Sequence, residues 1–132
     1  MPSVLLAVDK DESRARSQAK TVVNLFDPDE TEVEILHVFE ENPEGASAQQ
    51  IGSVRRAREV LVDAGIETSI MSESGDPTDG ILSRARAIDA DAIAIAGRKR
   101  SPAGKMVFGS VTQDVILSTE RSVLVCKPDE ET

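Results

Sequence analysis

The feature that most constrains the fold is a regular alternation of short apolar runs with longer amphipathic segments. The short runs have the length and composition of buried strands, whereas the longer segments repeat apolar residues every three or four positions, as a helix does. Strands that alternate with helices predict a parallel sheet, because parallel neighbours need a crossover connection and the crossover helices cover the sheet faces. We therefore expect an α/β fold with a single open sheet of five parallel strands and helices on both faces.

The boundaries of these elements follow from the apolar pattern and from turn residues. The third strand alternates apolar and polar residues, which is typical of a sheet edge. The predicted strands span 3–8, 33–39, 66–72, 91–96 and 122–126, and the helices span 12–26, a segment through Val54 and Leu61 that ends at Gly65, a segment from Pro77 to Ile88, and 110–118.

Length and cysteine content predict one domain in a reducing compartment. The 132 residues suit one domain, which we place at 1–127, followed by a short acidic tail at 128–132. The single cysteine, Cys126, excludes an internal disulfide. No signal-peptide pattern is visible, and no apolar run approaches the roughly 20 residues of a membrane span. We therefore expect a cytoplasmic protein without a membrane partner.

The charge balance argues against nucleic acid as a partner. The formal net charge is −9, with 24 acidic residues against 15 basic ones, so the surface repels polyanions. Three Phe and no Trp or Tyr leave little for base stacking. Arginine outnumbers lysine, and with the acidic excess this favours a halophilic-type surface.

The segment from Gly97 to Ser110 contains a Gly-Lys pair that invites comparison with a phosphate-binding P-loop. A Walker A loop has glycine five positions before the Gly-Lys pair and Ser or Thr after it, but this chain has Lys99 and Met106 at those positions. A dinucleotide-binding fingerprint is also absent, because no glycine follows the first strand directly. Both of these phosphate-binding motifs are therefore excluded.

The same segment still has the chemistry of an anion site. Gly97 ends a buried strand, Gly109 and Ser110 begin a helix, and Thr112 lies in its first turn. Free amides and the positive end of the helix dipole attract anions at a helix N-terminus, and hydroxyls add donors. The loop between also carries cations, namely Arg98, Lys99, Arg100 and Lys105. The alternative is a solvated loop in which Ser110 only caps its helix.

Several stretches together resemble the universal stress protein family over nearly the whole chain. They are the first strand ending at Asp9, the Leu36-His37-Val38 of the second strand, the Gly75-Asp76-Pro77 turn, and the Gly97 to Thr112 segment followed by Ser-Val-Leu-Val. The resemblance implies an adenine-nucleotide alpha hydrolase-like fold with strand order 3-2-1-4-5. It also implies ATP, in company with Mg²⁺, between strands one and four.

Carried over residue by residue, the family motif Gly-x2-Gly-x9-Gly-[Ser/Thr] matches this chain in part. Gly97 matches the first glycine and Gly109-Ser110 the last pair, but Arg100 stands at the second glycine and the following spacing is one residue short. The resemblance implies that Asp9 meets the nucleoside, that Val38 meets adenine, and that the neighbouring residues form the phosphate site; the predicted site is Asp9, Val38, Gly97, Arg98, Arg100, Gly104, Gly109, Ser110, Val111 and Thr112. Gly104 would supply the flexibility of the missing glycine.

Arg100 leaves two interpretations open, since it would either obstruct a triphosphate or clamp it. Family members without the glycine pattern do not bind ATP, so the alternative function is a ligand-free module that docks a regulatory protein partner. A slow ATP hydrolase is a third hypothesis. No residue pattern indicates an activated nucleophile or a tuned acid-base pair, so we expect hydrolysis to be absent or very slow. No cluster of ligands predicts a dedicated metal site.

The last strand predicts an oligomer. In the order 3-2-1-4-5 it lies at an edge, where Val123, Leu124 and Val125 would leave apolar backbone unpaired. The resemblance implies that the same strand of a second copy covers it, which gives a homodimer. The only histidine, His37, lacks a second ligand for a metal, so we predict that it packs or hydrogen-bonds near a strand end. Cys126 is expected to be an inert, buried thiol.

Overall fold

A computed structural model describes residues 2–41, 45–100 and 106–128, and these form one sheet flanked by helices. The strands are β1 (Ser3–Ala7), β2 (Glu32–Phe39), β3 (Glu67–Ser74), β4 (Ala92–Ala96), β5 (Arg98–Arg100), β6 (Met106–Val107) and β7 (Ser122–Cys126), and the helices are α1 (Glu12–Leu25), α2 (Gly52–Asp63), α3 (Pro77–Ala87) and α4 (Ser110–Ser118), with a single 3-10 turn at Ala48–Gln50. No helix within these residues is both long and apolar enough to cross a membrane.

The main sheet has five parallel strands in the order β3-β2-β1-β4-β7. The predicted order 3-2-1-4-5 is confirmed, with β7 as the fifth strand of the sheet. β3 lies at one edge, as its alternating pattern predicted, and β7 lies at the other. The order of the strands reverses between β1 and β4, and in open α/β sheets a crevice forms at that point, at the carboxyl ends of the strands.

The core has two layers, one on each face of the sheet. Val4, Leu6 and Ile35 pack against α1 and α2 on one face, with Ala19 and Leu61 among the helical residues there. Leu5, Leu36 and Ile93 point to the other face, where they pack with Ile81 of α3 and Val115 of α4. Buried alternate residues on both faces explain the continuous apolar runs of the central strands.

The ends of the helices follow local sequence signals. Asp11 caps α1 by accepting a hydrogen bond from the amide of Arg14, and Asp76 caps α3 by accepting one from Asp79. Pro77 occupies the first position of α3. Gly65, with φ of +83°, follows the end of α2 in a conformation that favours glycine.

The charged loop after β4 contains structure that the sequence did not predict. Residues Arg98–Arg100 pair antiparallel with Met106–Val107. The pair is short and lacks the alternation of apolar and polar residues by which strands are recognised in a sequence. It brings the chain back to Phe108, immediately before α4.

Candidate functional site

A crevice of about 840 Å³ opens at the carboxyl ends of the central strands. Its walls come from the ends of β1, β2 and β4, from the start of α1, and from the N-terminus of α4. It brings together six of the ten predicted site residues, namely Asp9, Val38, Gly109, Ser110, Val111 and Thr112. The crevice therefore lies where the strand order reverses, as expected for a ligand site in this type of sheet.

The N-terminus of α4 reaches this crevice without a side-chain cap. Gly109 is the N-cap residue and has no side chain to accept hydrogen bonds, in contrast to Asp11 and Asp76 at the starts of α1 and α3. The first helical bond of α4 runs from Gln113 N to Gly109 O at 3.1 Å. The amides at the start of α4, from Ser110 to Thr112, precede this bond and have no partner within the helix. They therefore remain available to an anion.

Glycine at position 109 is not required by the backbone. Its φ of −74° and ψ of 167° are accessible to any residue. Ser, Asp or Asn would cap the helix better at this position. Glycine there keeps the helix end open, which suits close approach of a ligand.

The two hydroxyls near this helix end have different surroundings. Thr112 is buried, and its Oγ1 donates to the carbonyl of Ala96 at 3.0 Å. This bond ties α4 to the end of β4, so Thr112 offers its amide rather than its hydroxyl proton to a ligand. Ser110 is exposed at the crevice.

The other four residues of the predicted phosphate site are not among the described residues that line the crevice. Gly97 is buried, and its amide donates to the carbonyl of Cys126 at 2.8 Å, which joins the ends of β4 and β7. Arg98 and Arg100 lie in β5, but the structure describes their backbone alone. Gly104 lies outside the described residues. The role of these four positions stays a prediction.

Asp9 stands at the mouth of the crevice with both carboxylate oxygens engaged. Oδ1 accepts a hydrogen bond from the amide of Asp11 at 2.9 Å, and Oδ2 lies 3.4 Å from Nε of Arg14. The backbone N–H of Arg14, which donates to Asp11 at 2.9 Å, acts together with the Arg14 guanidinium to hold the pKa of Asp11 below its ordinary value. The side chain of Asp9 remains 49% exposed and accessible to a ligand.

Val38 presents backbone groups beyond the end of β1. Leu36 O accepts from Val8 N at 2.9 Å, so the backbone groups of Leu36 face the β1 side. Those of Val38, two residues on, face the same side, where β1 has already ended at Ala7. Gly80 of α3 packs behind Val38, since a Cβ at position 80 would lie 2.9 Å from Val38 Cγ2. The peptide edge of Val38 can therefore meet a planar ligand group.

The crevice residues that the prediction from sequence missed include Arg14, Gln18 and His37. Gln18 donates through Nε2 to Ala7 O at 2.8 Å, and Nδ1 of His37 lies 2.9 Å from Val8 O. Gln18 could have been found, because it is a polar residue on the otherwise apolar face of α1. The interpretation of His37 as a residue that hydrogen-bonds near a strand end is confirmed.

The described walls of the crevice are more acidic than basic. The charged lining residues are Asp9, Asp11, Glu40 and Glu41 against Lys10 and Arg14. No group of three or more His, Cys, Asp and Glu side chains lies together as metal ligands would, in the part of the chain that the structure describes. Among the described walls, a highly charged anion would therefore find compensating positive charge mainly at the N-terminus of α4.

The fold defines an α/β domain with a crevice at the carboxyl ends of its parallel strands, and comparison with known proteins identifies the family. The model of the universal stress protein family matches residues 1–127, so the chain belongs to that family. A universal stress protein of Mycolicibacterium smegmatis is 35% identical over 78 residues, which is 58% of this chain and 60% of that protein. The chain therefore spans about three fifths of the length of that curated relative.

Solved structures of the same fold match over almost the full chain. The universal stress protein from Archaeoglobus fulgidus is 28% identical, with 96% of this chain and 99% of that chain covered and a TM-score of 0.76. A structure of an Archaeoglobus fulgidus universal stress protein in complex with dAMP is 23% identical, covers 96% of this chain and 98% of that chain, and has a TM-score of 0.72. A universal stress protein in complex with cAMP is 19% identical, with 97% of this chain and 98% of that chain covered and a TM-score of 0.74. A universal stress protein family protein from Arabidopsis thaliana with AMP bound is 16% identical, with 98% of this chain and 94% of that chain covered and a TM-score of 0.72.

Proposed function

We propose that this universal stress protein binds an adenine nucleotide in the crevice and acts as a regulatory or protective stress protein in the cytoplasm. The observation that carries the proposal is the uncapped N-terminus of α4, which opens onto the same crevice as Asp9 and the peptide edge of Val38. The relatives with cAMP, dAMP and AMP support it, since they share the fold.

The proposed pose follows the three parts of the crevice. The base lies against the edge of Val38, whose N–H and C=O complement the donor and acceptor of an adenine edge. The ribose lies at Asp9. A phosphate takes the amides from Ser110 to Thr112, where the helix dipole favours negative charge.

The number of phosphates depends on the cationic loop. The N-terminus of α4 offers a binding position for one phosphate, here called the phosphate seat, and the acidic lining of the crevice disfavours further negative charge. Under this proposal, the other phosphates of ATP and an accompanying Mg²⁺ require the cations at positions 98–105. AMP needs the helix end alone.

The crevice supports binding better than turnover. Both oxygens of Asp9 are engaged by the Asp11 amide and Arg14, so this carboxylate is poorly placed to activate a water. We propose a nucleotide-dependent regulator whose hydrolysis of ATP is absent or very slow.

The test of the phosphate seat is Gly109→Asp. The new carboxylate would cap α4 as Asp11 and Asp76 cap their helices, and its charge would occupy the seat. We expect AMP and ATP to bind at least about tenfold more weakly in titration calorimetry, since a lost hydrogen bond to a charged group contributes about 1.5–3 kcal/mol.

Two comparisons make this test decisive. The melting temperature of Gly109→Asp should stay equal or rise slightly, which separates loss of the seat from loss of the fold. Asp76→Gly, the reverse change at α3, should lower stability without changing nucleotide affinity. Equal affinities for wild type and Gly109→Asp would refute the phosphate seat.

A second proposed function, self-association, is favoured by the free edge of β7. This strand pairs with β4 alone among the described residues, and Val123, Leu124 and Val125 are only partly buried. Apolar side chains of α4 lie exposed nearby in sequence, with Leu117 83% and Ile116 38% accessible. We propose that a second copy covers this edge, with a regulatory protein partner as the alternative occupant.

A further inference from the structure

Gly80 of α3 is a glycine that the backbone does not require. Its φ lies outside the left-handed region, and its amide donates to the carbonyl of Asp76 at 2.9 Å, as in a regular helix. Every residue except proline forms a helix more readily than glycine does. The reason for a glycine here must therefore lie in what a side chain at position 80 would contact.

That contact is the side chain of Val38 in β2. A Cβ at position 80 would lie 2.9 Å from Val38 Cγ2 and 3.2 Å from Val38 Cγ1. Carbon atoms in good contact are about 3.5–4.0 Å apart, so both distances are too short. Valine is branched at Cβ and stiff at χ1, and it already turns both methyl groups toward this position. Val38 therefore occupies the space that the missing side chain of Gly80 leaves.

The helix itself is held against β2 on both sides of Gly80. Before it, Asp76 caps the helix and accepts from the amide of Asp79 at 3.0 Å. After it, Ile81 is buried, and Arg84 donates to both carboxylate oxygens of Glu34 at 2.6 and 2.8 Å. A methyl group added at position 80 would therefore displace Val38 more readily than it would displace α3.

The side chain of Val38 also belongs to the apolar part of the crevice wall. This part lies on the α3 and α4 side of the sheet, and its residues are Val38, Pro77, Ile81, Ile95 and Val111. An apolar wall of this kind suits the faces of an aromatic base. Gly80 lies behind Val38, so it acts on the crevice through Val38.

We propose that Gly80 is a positioning residue that sets the room for the base: it lets Val38 withdraw from the crevice toward α3. This inference rests on the proposed function and adds to it the residue that limits the size of the base site. A side chain at position 80 would push the methyl groups of Val38 toward the base and shift the peptide edge that the base meets.

The direct test is Gly80→Ala. In titration calorimetry, we expect AMP to bind at least about fivefold more weakly, the lower end of the cost of overpacking a filled apolar site. Ribose 5-phosphate has the sugar and phosphate of AMP but no base, so it should bind wild type and variant equally. A purely structural role of Gly80 would change the melting temperature without this difference between the two ligands.

Two changes at Val38 test whether the effect passes through this residue. In a Val38→Ala background the methyl groups are gone, so the further change Gly80→Ala should alter the AMP affinity by less than about twofold. Val38→Ile adds a methyl group that the filled space at Gly80 cannot accept, so it must extend toward the crevice. Val38→Ile should weaken AMP but not ribose 5-phosphate, and this test holds even if Gly80→Ala does not fold.

Gly52→Ala is the matched control. A Cβ at position 52, in α2, would also meet an atom at 2.9 Å, but that atom is Oε2 of Glu12, at the end of a flexible side chain that is 56% exposed. The carboxylate can turn aside into solvent, so AMP should bind this variant as it binds wild type.

Three results would each overturn the inference while nucleotide binding itself stands. They are wild-type affinity of Gly80→Ala or Val38→Ile for AMP, an equal loss for AMP and ribose 5-phosphate, and an undiminished loss from Gly80→Ala in the Val38→Ala background. Absence of any AMP or ATP binding by wild type would refute the proposed function and this inference together.

Discussion

At the scale of single residues, the partners of a side chain decide whether it can react or bind. Ser110 and Gly109 could be assigned to the crevice from the sequence, because a helix start after a strand end is a local pattern. Gln18 and His37 were missed, because their partners Ala7 and Val8 are distant in the chain and only the folded sheet brings them together. Local patterns thus predicted the helix end of the crevice but not the side chains of Gln18 and His37 that also line it.

Cys126 shows the effect of burial on a single thiol. It is 1% exposed in β7, and burial raises its pKa to about 12. The neutral thiol is therefore retained in the folded protein, whereas the unfolded chain ionises near its ordinary pKa of about 8.5. The contribution of Cys126 to stability is complete below that value and is lost as the pH rises toward 12.

We therefore predict that native protein does not react with a thiol-specific disulfide reagent at pH 8 and reacts once it is unfolded in urea. The stability difference between wild type and Cys126→Ala, measured by urea unfolding, should shrink as the pH is raised above 9. A fast reaction of native protein would show that the thiol is accessible, contrary to the structure.

At the scale of elements, the apolar pattern predicted the five strands of the main sheet and the four helices, with most boundaries within one or two residues, whereas the order of the strands was implied by the resemblance to the family. α4 and β7 have the predicted ends, and β1 and α1 end one residue earlier than expected, after Ala7 and Leu25. The antiparallel pair of β5 and β6 was not predicted. Its strands have only three and two residues, Arg-Lys-Arg and Met-Val, and segments this short show no alternation of apolar and polar residues. Side-chain ties between elements were equally invisible in the sequence.

The ion pair between Arg84 of α3 and Glu34 of β2 is the clearest such tie. The guanidinium donates to both carboxylate oxygens, at 2.6 and 2.8 Å, and the side chains are only 22% and 11% exposed. The hydrogen bond to Glu34 and the charges of Glu34 and Glu73 raise the pKa of Arg84 above its ordinary value, against the effect of burial. Arg84 is therefore charged at every pH at which the protein folds.

We predict that Arg84→Met lowers the free energy of unfolding by about 2–4 kcal/mol, because it leaves the Glu34 carboxylate buried without a partner. The double variant Arg84→Met with Glu34→Leu should lose less, since no unpaired charge remains. Arg86→Met, on an exposed position of the same helix, should change stability by no more than about 0.5 kcal/mol. Urea unfolding measures all three; an additive double variant would contradict the pairing.

At the scale of the whole molecule, two features are proposed to bind partners, namely the crevice at the strand ends and the edge of β7. The family membership supports the fold, and the formal net charge of −9 is the basis for our prediction of an acidic surface adapted to a salt-rich setting. An apolar edge strand in such a surface is uncommon unless a partner covers it.

We predict that the protein sediments as a dimer, at twice its monomer mass of 14.2 kDa, and that Val123→Lys shifts it to the monomer. A charge on an edge strand opposes pairing with a second strand. Leu25→Lys, at an exposed position of α1, is the control and should leave the dimer intact. Sedimentation velocity at micromolar concentration decides the matter, and a monomeric wild type would contradict the proposed interface.

The central claim is that the crevice holds an adenine nucleotide, and the most direct measurement is the nucleotide content of the purified protein. The protein would be denatured and its supernatant separated by ion-exchange chromatography. The account predicts adenine nucleotide, either carried through purification or taken up when AMP or ATP is added at high salt, at about one per chain. An empty supernatant, with no heat on titration of AMP or ATP, would contradict it and leave the interaction module as the remaining function.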